Sequence, residues 1–144
     1  MPPLPEALAI HHSPFTVYNT FTMIHEPHSL ERRTIQFSKD VIAFCNAVKL
    51  TPVTRPMIEQ LTKSATSIGA NYAEANNASS KTDFRSKIYI AKKEAAETKY
   101  WLELFGELEN CKTRCRQLWQ ECQFILMTLQ KIVTTLNKPK MDNG

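Results

Sequence analysis

The sequence is poor in glycine and has no long apolar run. Only three of its 144 residues are glycine, whereas all-β proteins need glycine at their tight turns. No segment approaches the roughly 20 apolar residues of a membrane-spanning helix, and no N-terminal pattern indicates a signal peptide. We therefore expect a single helical, cytoplasmic domain with an ordinary globular composition of 42% hydrophobic and 22% charged residues.

Histidine is confined to the start of the chain, which limits the chemistry of the rest. No histidine follows His28, so no Cys-His or Ser-His nucleophilic pair can form there. A Ser-Lys pair of Lys63 with Ser64 or Ser67 is conceivable, but no strained nucleophile turn marks it. Glycine-rich phosphate loops are absent. We therefore expect no catalytic residue and no cofactor. The histidines themselves fit no standard metal-ligand spacing: His11, His12, His25 and His28.

Cysteine is also sparse and gives no sign of a metal centre. Cys111 and Cys115 are four residues apart, but two thiolates make only half a zinc site. Cys115 and Cys122 fall on a helical apolar seam, where cysteine packs as a small hydrophobe. In a cytosolic protein the thiols are expected to be reduced. Whether Cys111 and Cys115 pair stays open.

Four segments with helical periodicity follow a proline-rich start. Residues 1–28 hold five of the eight prolines and no regular period, which predicts an extended or disordered tail. Ser29, Thr54 and Ser80 are the expected N-caps. Short connections between amphipathic helices predict an all-α, antiparallel up-down-up-down four-helix bundle over residues 29–137, followed by a flexible tail at 138–144. The expected helices cover about 29–50, 55–77, 80–108 and 113–137.

Helical spacing assigns one buried face to each segment. In the first, we expect a core stripe with two phenylalanines, Phe37 and Phe44, only at its edges. That stripe consists of Ile35, Val41, Ile42, Cys45 and Val48. The other expected faces are Met57, Ile58, Leu61, Ala65, Ile68 and Tyr72; Phe84, Ile88, Ala91, Ala95, Thr98, Leu102 and Phe105; and Cys115, Leu118, Cys122, Ile125, Leu129, Ile132 and Leu136.

The second helix carries an unusual face of small and polar residues. A glycine within a helix costs about 1 kcal/mol relative to alanine, and a solvated surface gains nothing from that cost. We therefore expect this face to pack closely against another helix, either of a partner protein or of the same chain. The small residues are Gly69, Ala70 and Ala73, beside a polar stripe of Ser64, Ser67, Asn71 and Glu74.

A stripe of cations follows the third helix. At 100° per residue these side chains project within about 40° of one another. Cations edged by tyrosines are suited to follow a phosphate backbone and stack on bases. The alternative is a solvated helix face with local ion pairs, such as Lys99 with Glu103. The stripe is Lys81, Arg85, Lys92 and Lys99, flanked by Tyr89, Lys93 and Tyr100.

Several motifs resemble one known family. Residues 67–74 (SIGANYAE), the Ser80–Phe84 segment and residues 87–105 (KIYIAKKEAAETKYWLELF) are similar to the four-helix-bundle proteins related to the 23S rRNA intervening-sequence protein. The resemblance covers about residues 29–137. Its motif residues are Ser67, Gly69, Ala70, Asn71, Ala73, Glu74, Ser80, Asp83 and Phe84.

The resemblance implies a bacterial, cytoplasmic, non-enzymatic homo-oligomer, typically a pentameric ring. A related branch, the accessory variability determinant proteins of diversity-generating retroelements, binds nucleic acid and a reverse transcriptase through a basic surface. This chain departs from the family pattern at Ala75 and Ala78, where many members have glycine and arginine, and at Lys93 and Glu94, where many have Gly-Ser. The resemblance thus predicts a nucleic-acid, ribonucleoprotein or reverse-transcriptase accessory protein. The alternative is a protein-interaction scaffold without a nucleic-acid role.

Overall fold

The computed structural model describes residues 27–139 and 141, and this part of the chain forms four α-helices. Consecutive helices pack side by side, and the last helix returns against the first. This arrangement confirms the predicted up-down-up-down bundle. None of the described helices is long and apolar enough to cross a membrane. The helices are α1 (Pro27–Ala47), α2 (Thr54–Asn76), α3 (Lys81–Phe105) and α4 (Lys112–Leu136).

The N-terminal boundaries follow from local hydrogen bonds, and two of the predicted caps are wrong. Helix α1 begins at Pro27, so Ser29 lies inside it. At α2 the hydroxyl of Thr51 accepts hydrogen bonds from the backbone N–H groups of Val53 and Thr54, at 3.2 and 3.0 Å. Thr54 is therefore the first helical residue rather than the cap. The tail predicted for residues 1–28 lies outside the described residues, apart from 27 and 28, which belong to α1.

Helix α3 confirms its predicted start but ends earlier than expected. The Ser80 hydroxyl accepts a hydrogen bond from the Asp83 N–H at 3.1 Å, as an N-cap does. The helix ends at Phe105, three residues before the predicted Leu108. Asn110 then adopts a positive φ of 63°, a left-handed conformation that asparagine tolerates better than most residues. This turn sends α4 back along α3.

The buried face of α1 differs from the prediction. Phe37 and Phe44 are buried, whereas Ile35 and Ile42 are 48% and 42% exposed. The Phe44 ring meets Phe105 of α3 edge to face, with centroids 5.5 Å apart. The two isoleucines are seven residues apart, and both lie on the outer side of the helix. Helix α1 has two apolar stripes, and the stripe with the large aromatic rings fills the centre of the bundle.

A buried ion pair crosses the α1–α4 interface. The Arg33 guanidinium binds both carboxylate oxygens of Glu121, with the Nη2–Oε2 distance at 2.7 Å. Only 1% of the Glu121 side chain is exposed, and the guanidinium carbon lies 3.8 Å from the Phe124 ring centroid. Burial raises the pKa of the Glu121 carboxyl, and Arg33 acts against that rise. The remaining buried positions of α2, α3 and α4 largely match the predicted faces.

Candidate nucleic-acid interface

The groove between α3 and α4 is the surface where most of the predicted cations lie. Its two helices are linked by side-chain hydrogen bonds along their length. Arg85 donates to the Leu136 carbonyl at 3.2 Å near one end. Lys99 donates to Gln123 Oε1 at 2.6 Å further along. These hydrogen bonds show that the predicted stripe faces α4 along one flank and solvent along the other.

Two of the lysines also lie over aromatic rings. Lys92 Nζ is 5.8 Å from the Tyr89 ring centroid, and Lys99 Nζ is 4.4 Å from the centroid of Trp119 on α4. Such cation–π contacts hold the ammonium groups in place without neutralising them. From Lys81 to Lys99 the stripe runs about 27 Å along the helix axis at 1.5 Å per residue.

Acidic side chains lie on both flanks of α3. Glu94 lies on the flank that faces α2, where burial raises the pKa of its carboxyl, Glu97 raises it further, and Lys93 and Lys63 lower it. Lys87 pairs with Glu74 of α2 on the same flank, at 2.6 Å. On the flank that faces α4, no acidic side chain lines the groove beside Lys92, whereas Glu103 and Glu107 line its Gly106 end. The local ion pair considered between Lys99 and Glu103 does not form: Lys99 donates to Gln123, and Glu103 accepts from Trp119 at 3.1 Å.

The structure does not bring all the predicted residues into the groove. Tyr89 lies at the edge of the groove with 43% of its surface exposed. Its hydroxyl accepts a hydrogen bond from Asn137 at 3.4 Å. Lys93 and Tyr100 project further outward into solvent, with Tyr100 packed edge to face on Trp101. These two side chains can reach a bound polymer only from the outer side of α3.

Helix α4 adds cations that the sequence prediction missed. The end of the groove near Gly106 has a volume of about 500 Å³ and is lined in part by Lys112 and Arg116 of α4. The middle of the groove has a volume of about 410 Å³ and is lined in part by Lys92 of α3 and Lys131 of α4. Periodicity identifies the exposed side of α4, but which helix that side adjoins depends on the packing of the bundle.

The small-residue face of α2 packs against α1. A Cβ atom built on Gly69 would lie 3.0 Å from Thr34 Oγ1 and 3.1 Å from Thr34 Cβ. Ala70 is exposed and Ala73 is half-buried. The absence of a side chain at Gly69 therefore serves the close approach of two helices within one chain, the second of the two alternatives raised for this face.

The polar motif residues mostly make local contacts. Asn71 donates to the Ser67 carbonyl at 2.8 Å, and Ser67 donates to the Lys63 carbonyl at 2.7 Å. Phe84, at the start of α3, is half-buried against the core. A buried hydrogen bond of 2.9 Å joins Thr98 and Ser64 across the α2–α3 interface. Asn71 and Ser67 therefore bond within α2, whereas Ser64 and Glu74 reach α3 through Thr98 and Lys87.

Within the part of the chain that the structure describes, no group of three or more His, Cys, Asp or Glu residues could hold a metal ion. All four cysteines are free thiols. Burial raises the pKa of Cys115 and of Cys122 to about 12, so both stay protonated at neutral pH and are weak nucleophiles.

Comparison with known proteins finds a matching protein family and a similar solved structure. The family model of the 23S rRNA-intervening sequence protein matches residues 29–131. The chain belongs to this family. A solved structure from Bacteroides thetaiotaomicron, described as a protein of unknown function from the S23 ribosomal protein family, is similar at 31% sequence identity with a TM-score of 0.68. The similarity covers 75% of this chain and 97% of that one. No curated protein matches the chain.

Proposed function

We propose that this member of the 23S rRNA-intervening sequence protein family is a non-enzymatic, cytoplasmic protein that binds the phosphate backbone of RNA or DNA along its α3–α4 face. In that role it acts as an accessory of a ribonucleoprotein or a reverse transcriptase. The observation that carries the proposal is the middle of the α3–α4 groove, whose lining holds Lys92 and Lys131 and no acidic side chain.

The cations of this face come from both helices, which favours a polymeric ligand. Lys92 of α3 and Lys131 of α4 both line the middle of the groove, and Lys112 and Arg116 of α4 line its far end. The opposing acids at that end are Glu103 and Glu107. A long, shallow, cationic surface suits repeated phosphate contacts better than it suits one small anion.

A charge reversal on this face tests the proposal. We expect the double substitution Lys92→Glu and Lys131→Glu to weaken binding of a single-stranded 20-nucleotide RNA by on the order of 10–100-fold. Each lost phosphate contact lowers the slope of log K against log salt by about 0.7 for a single strand, so the slope falls by about 1.4. Fluorescence anisotropy titrations at several salt concentrations measure both quantities.

The matched control places the same charge change elsewhere. Lys49 and Arg55 are exposed in the α1–α2 connection and at the start of α2, and Lys49→Glu with Arg55→Glu changes the net charge equally. This variant is expected to retain most of the affinity and the full salt slope. Equal losses in both double variants would indicate a response to overall charge and would remove the α3–α4 face as the binding surface.

Self-association is the second part of the proposal, and exposed isoleucines on α1 support it. Ile35 and Ile42 share one outer face with no cover in the described chain, and exposed apolar patches commonly mark protein interfaces. We expect light scattering to give a mass that is a multiple of the 16.5 kDa chain. Ile35→Asp with Ile42→Asp should reduce that mass to one chain.

Leu50 and Val53 provide the control for that measurement, because they are 57% and 66% exposed in the α1–α2 connection. Leu50→Asp with Val53→Asp is expected to leave the mass unchanged. A wild-type protein that stays at 16.5 kDa at low and high salt would exclude self-association. A multimer that binds no nucleic acid at either salt would favour the scaffold alternative.

A further inference from the structure

The middle of the α3–α4 groove combines an apolar floor with cationic walls. Leu126 and Met127 form the floor, and Met127 is 53% exposed. Lys92 of α3 and Lys131 of α4 also line it, and no acidic side chain lines this part of the groove. A site that bound phosphate alone would gain nothing from the exposed methionine, since apolar surface in contact with water is unfavourable. The groove is therefore suited to a ligand with both an anion and a flat apolar face.

Two glutamines supply directional hydrogen bonding at the same place. Gln123 and Gln130 are seven residues apart on α4 and both line the groove. Lys99 donates a hydrogen bond to the side-chain oxygen of Gln123, so the amide N–H groups of Gln123 remain available to donate. Gln130 donates from its amide nitrogen to Thr134 at 3.4 Å, which leaves its carbonyl oxygen to accept. The groove thus presents both a donor and an acceptor, as recognition of a nucleobase edge requires.

We propose that this groove receives an unpaired base of single-stranded nucleic acid, with the base on Leu126 and Met127 and its flanking phosphates at Lys92 and Lys131. The inference rests on the proposed function and specifies the ligand as a single strand. Tyr89 lies beside Lys92 with 43% of its surface exposed, and it offers a ring on which a neighbouring base can stack. The volume of about 410 Å³ accommodates a base, whereas the paired bases of a duplex cannot enter it.

The experiment compares four ligands on the full chain at one salt concentration. They are a labelled 12-nucleotide single strand, the same strand with abasic sites throughout its centre, the corresponding duplex, and adenosine monophosphate. We expect the single strand to bind about tenfold more tightly than the abasic strand, which has the same phosphates but fewer bases. We also expect it to bind more tightly than the duplex and far more tightly than the mononucleotide.

A substitution in the floor connects that difference to the groove. Met127→Ser is expected to remove most of the tenfold difference in affinity between the ordinary single strand and the abasic strand. The matched control is Met141→Ser, because Met141 is 91% exposed beyond the end of α4 and should keep the full preference. The side chain at 127 is itself largely exposed, so the variant is expected to fold as the wild type does.

Each other outcome overturns a distinct claim. Equal affinity for the abasic and ordinary strands would reject the base site and leave phosphate binding intact. Equal or tighter binding of the duplex would also reject it. Binding of adenosine monophosphate as tightly as the 12-nucleotide strand would identify a free nucleotide as the ligand. An absence of binding to any nucleic acid, with an acidic polypeptide such as polyglutamate bound instead, would reject both the base site and the proposed function.

Discussion

Replacing Arg33 by methionine is expected to lower the free energy of unfolding by about 3–5 kcal/mol at neutral pH. The substitution keeps most of the apolar contact with Phe124 but removes both hydrogen bonds to Glu121. The carboxylate would then be left with 1% of its side chain exposed and without its cationic partner. Urea denaturation followed by circular dichroism measures the change.

The loss should depend on pH in a defined direction. Burial raises the folded-state pKa of Glu121 above its ordinary value, and Arg33 opposes that rise. Without Arg33 the folded pKa rises further. A group whose folded pKa is raised takes up a proton on folding, so between the unfolded and folded pKa values stability increases as pH falls. The difference between wild type and Arg33→Met should therefore be smaller at pH 5 than at pH 8.

Arg32 provides a neighbouring control, because it is exposed on α1. Arg32→Met is expected to change the free energy of unfolding by less than about 0.5 kcal/mol. The double variant Arg33→Met and Glu121→Met should recover most of the loss, since a buried pair replaced by apolar residues of similar size is often neutral. A loss in Arg33→Met no larger than in Arg32→Met would show that Glu121 finds other compensation.

Replacing Gly69 by leucine is expected to destabilise the bundle by a net of about 2 kcal/mol. Even a Cβ atom at this position would approach Thr34 within 3.0–3.1 Å, and a larger side chain must push α1 and α2 apart. Leucine gains roughly 0.8 kcal/mol of helix propensity over glycine, so the packing cost must exceed that gain. The midpoint of thermal unfolding and the urea transition both report the loss.

The adjacent Ala70 tests whether the effect is specific to the helix contact. Ala70 is exposed, so Ala70→Leu is expected to stay within about 0.5 kcal/mol of the wild type. Adding Thr34→Ala to Gly69→Leu should recover part of the stability, because it removes the Oγ1 atom nearest to the new side chain. Wild-type stability of Gly69→Leu would mean that the helices can separate without loss.

The local sequence pattern was sufficient to predict the buried residues of a helix that has a single apolar stripe. On α4 the alternating steps of three and four predicted Cys115, Leu118, Cys122, Ile125 and Leu129, and all are buried. At α3 the Ser80 cap depends on a hydrogen bond to a residue three positions away, so it is visible in the sequence itself. The family motifs at residues 67–74 and 80–84 were likewise readable before any packing was known.

The sequence pattern did not predict contacts that depend on the position of a neighbouring helix. Helix α1 has two apolar stripes, and only the space between its neighbours selects Phe37 and Phe44 over Ile35 and Ile42. The ion pair of Arg33 and Glu121 joins residues 88 positions apart, and no local period indicates such a pair.

The sequence by itself determined the four helices, most of their buried faces and the cationic stripe of α3, because these depend on the 3.6-residue period and on caps within one turn. The tertiary structure alone decided that Gly69 meets Thr34 of the same chain. It also decided that Lys131 and Lys92 line the same groove, together with Leu126 and Met127. Both results depend on the rotation of each helix about its axis, which is set when the side chains of all four helices pack together.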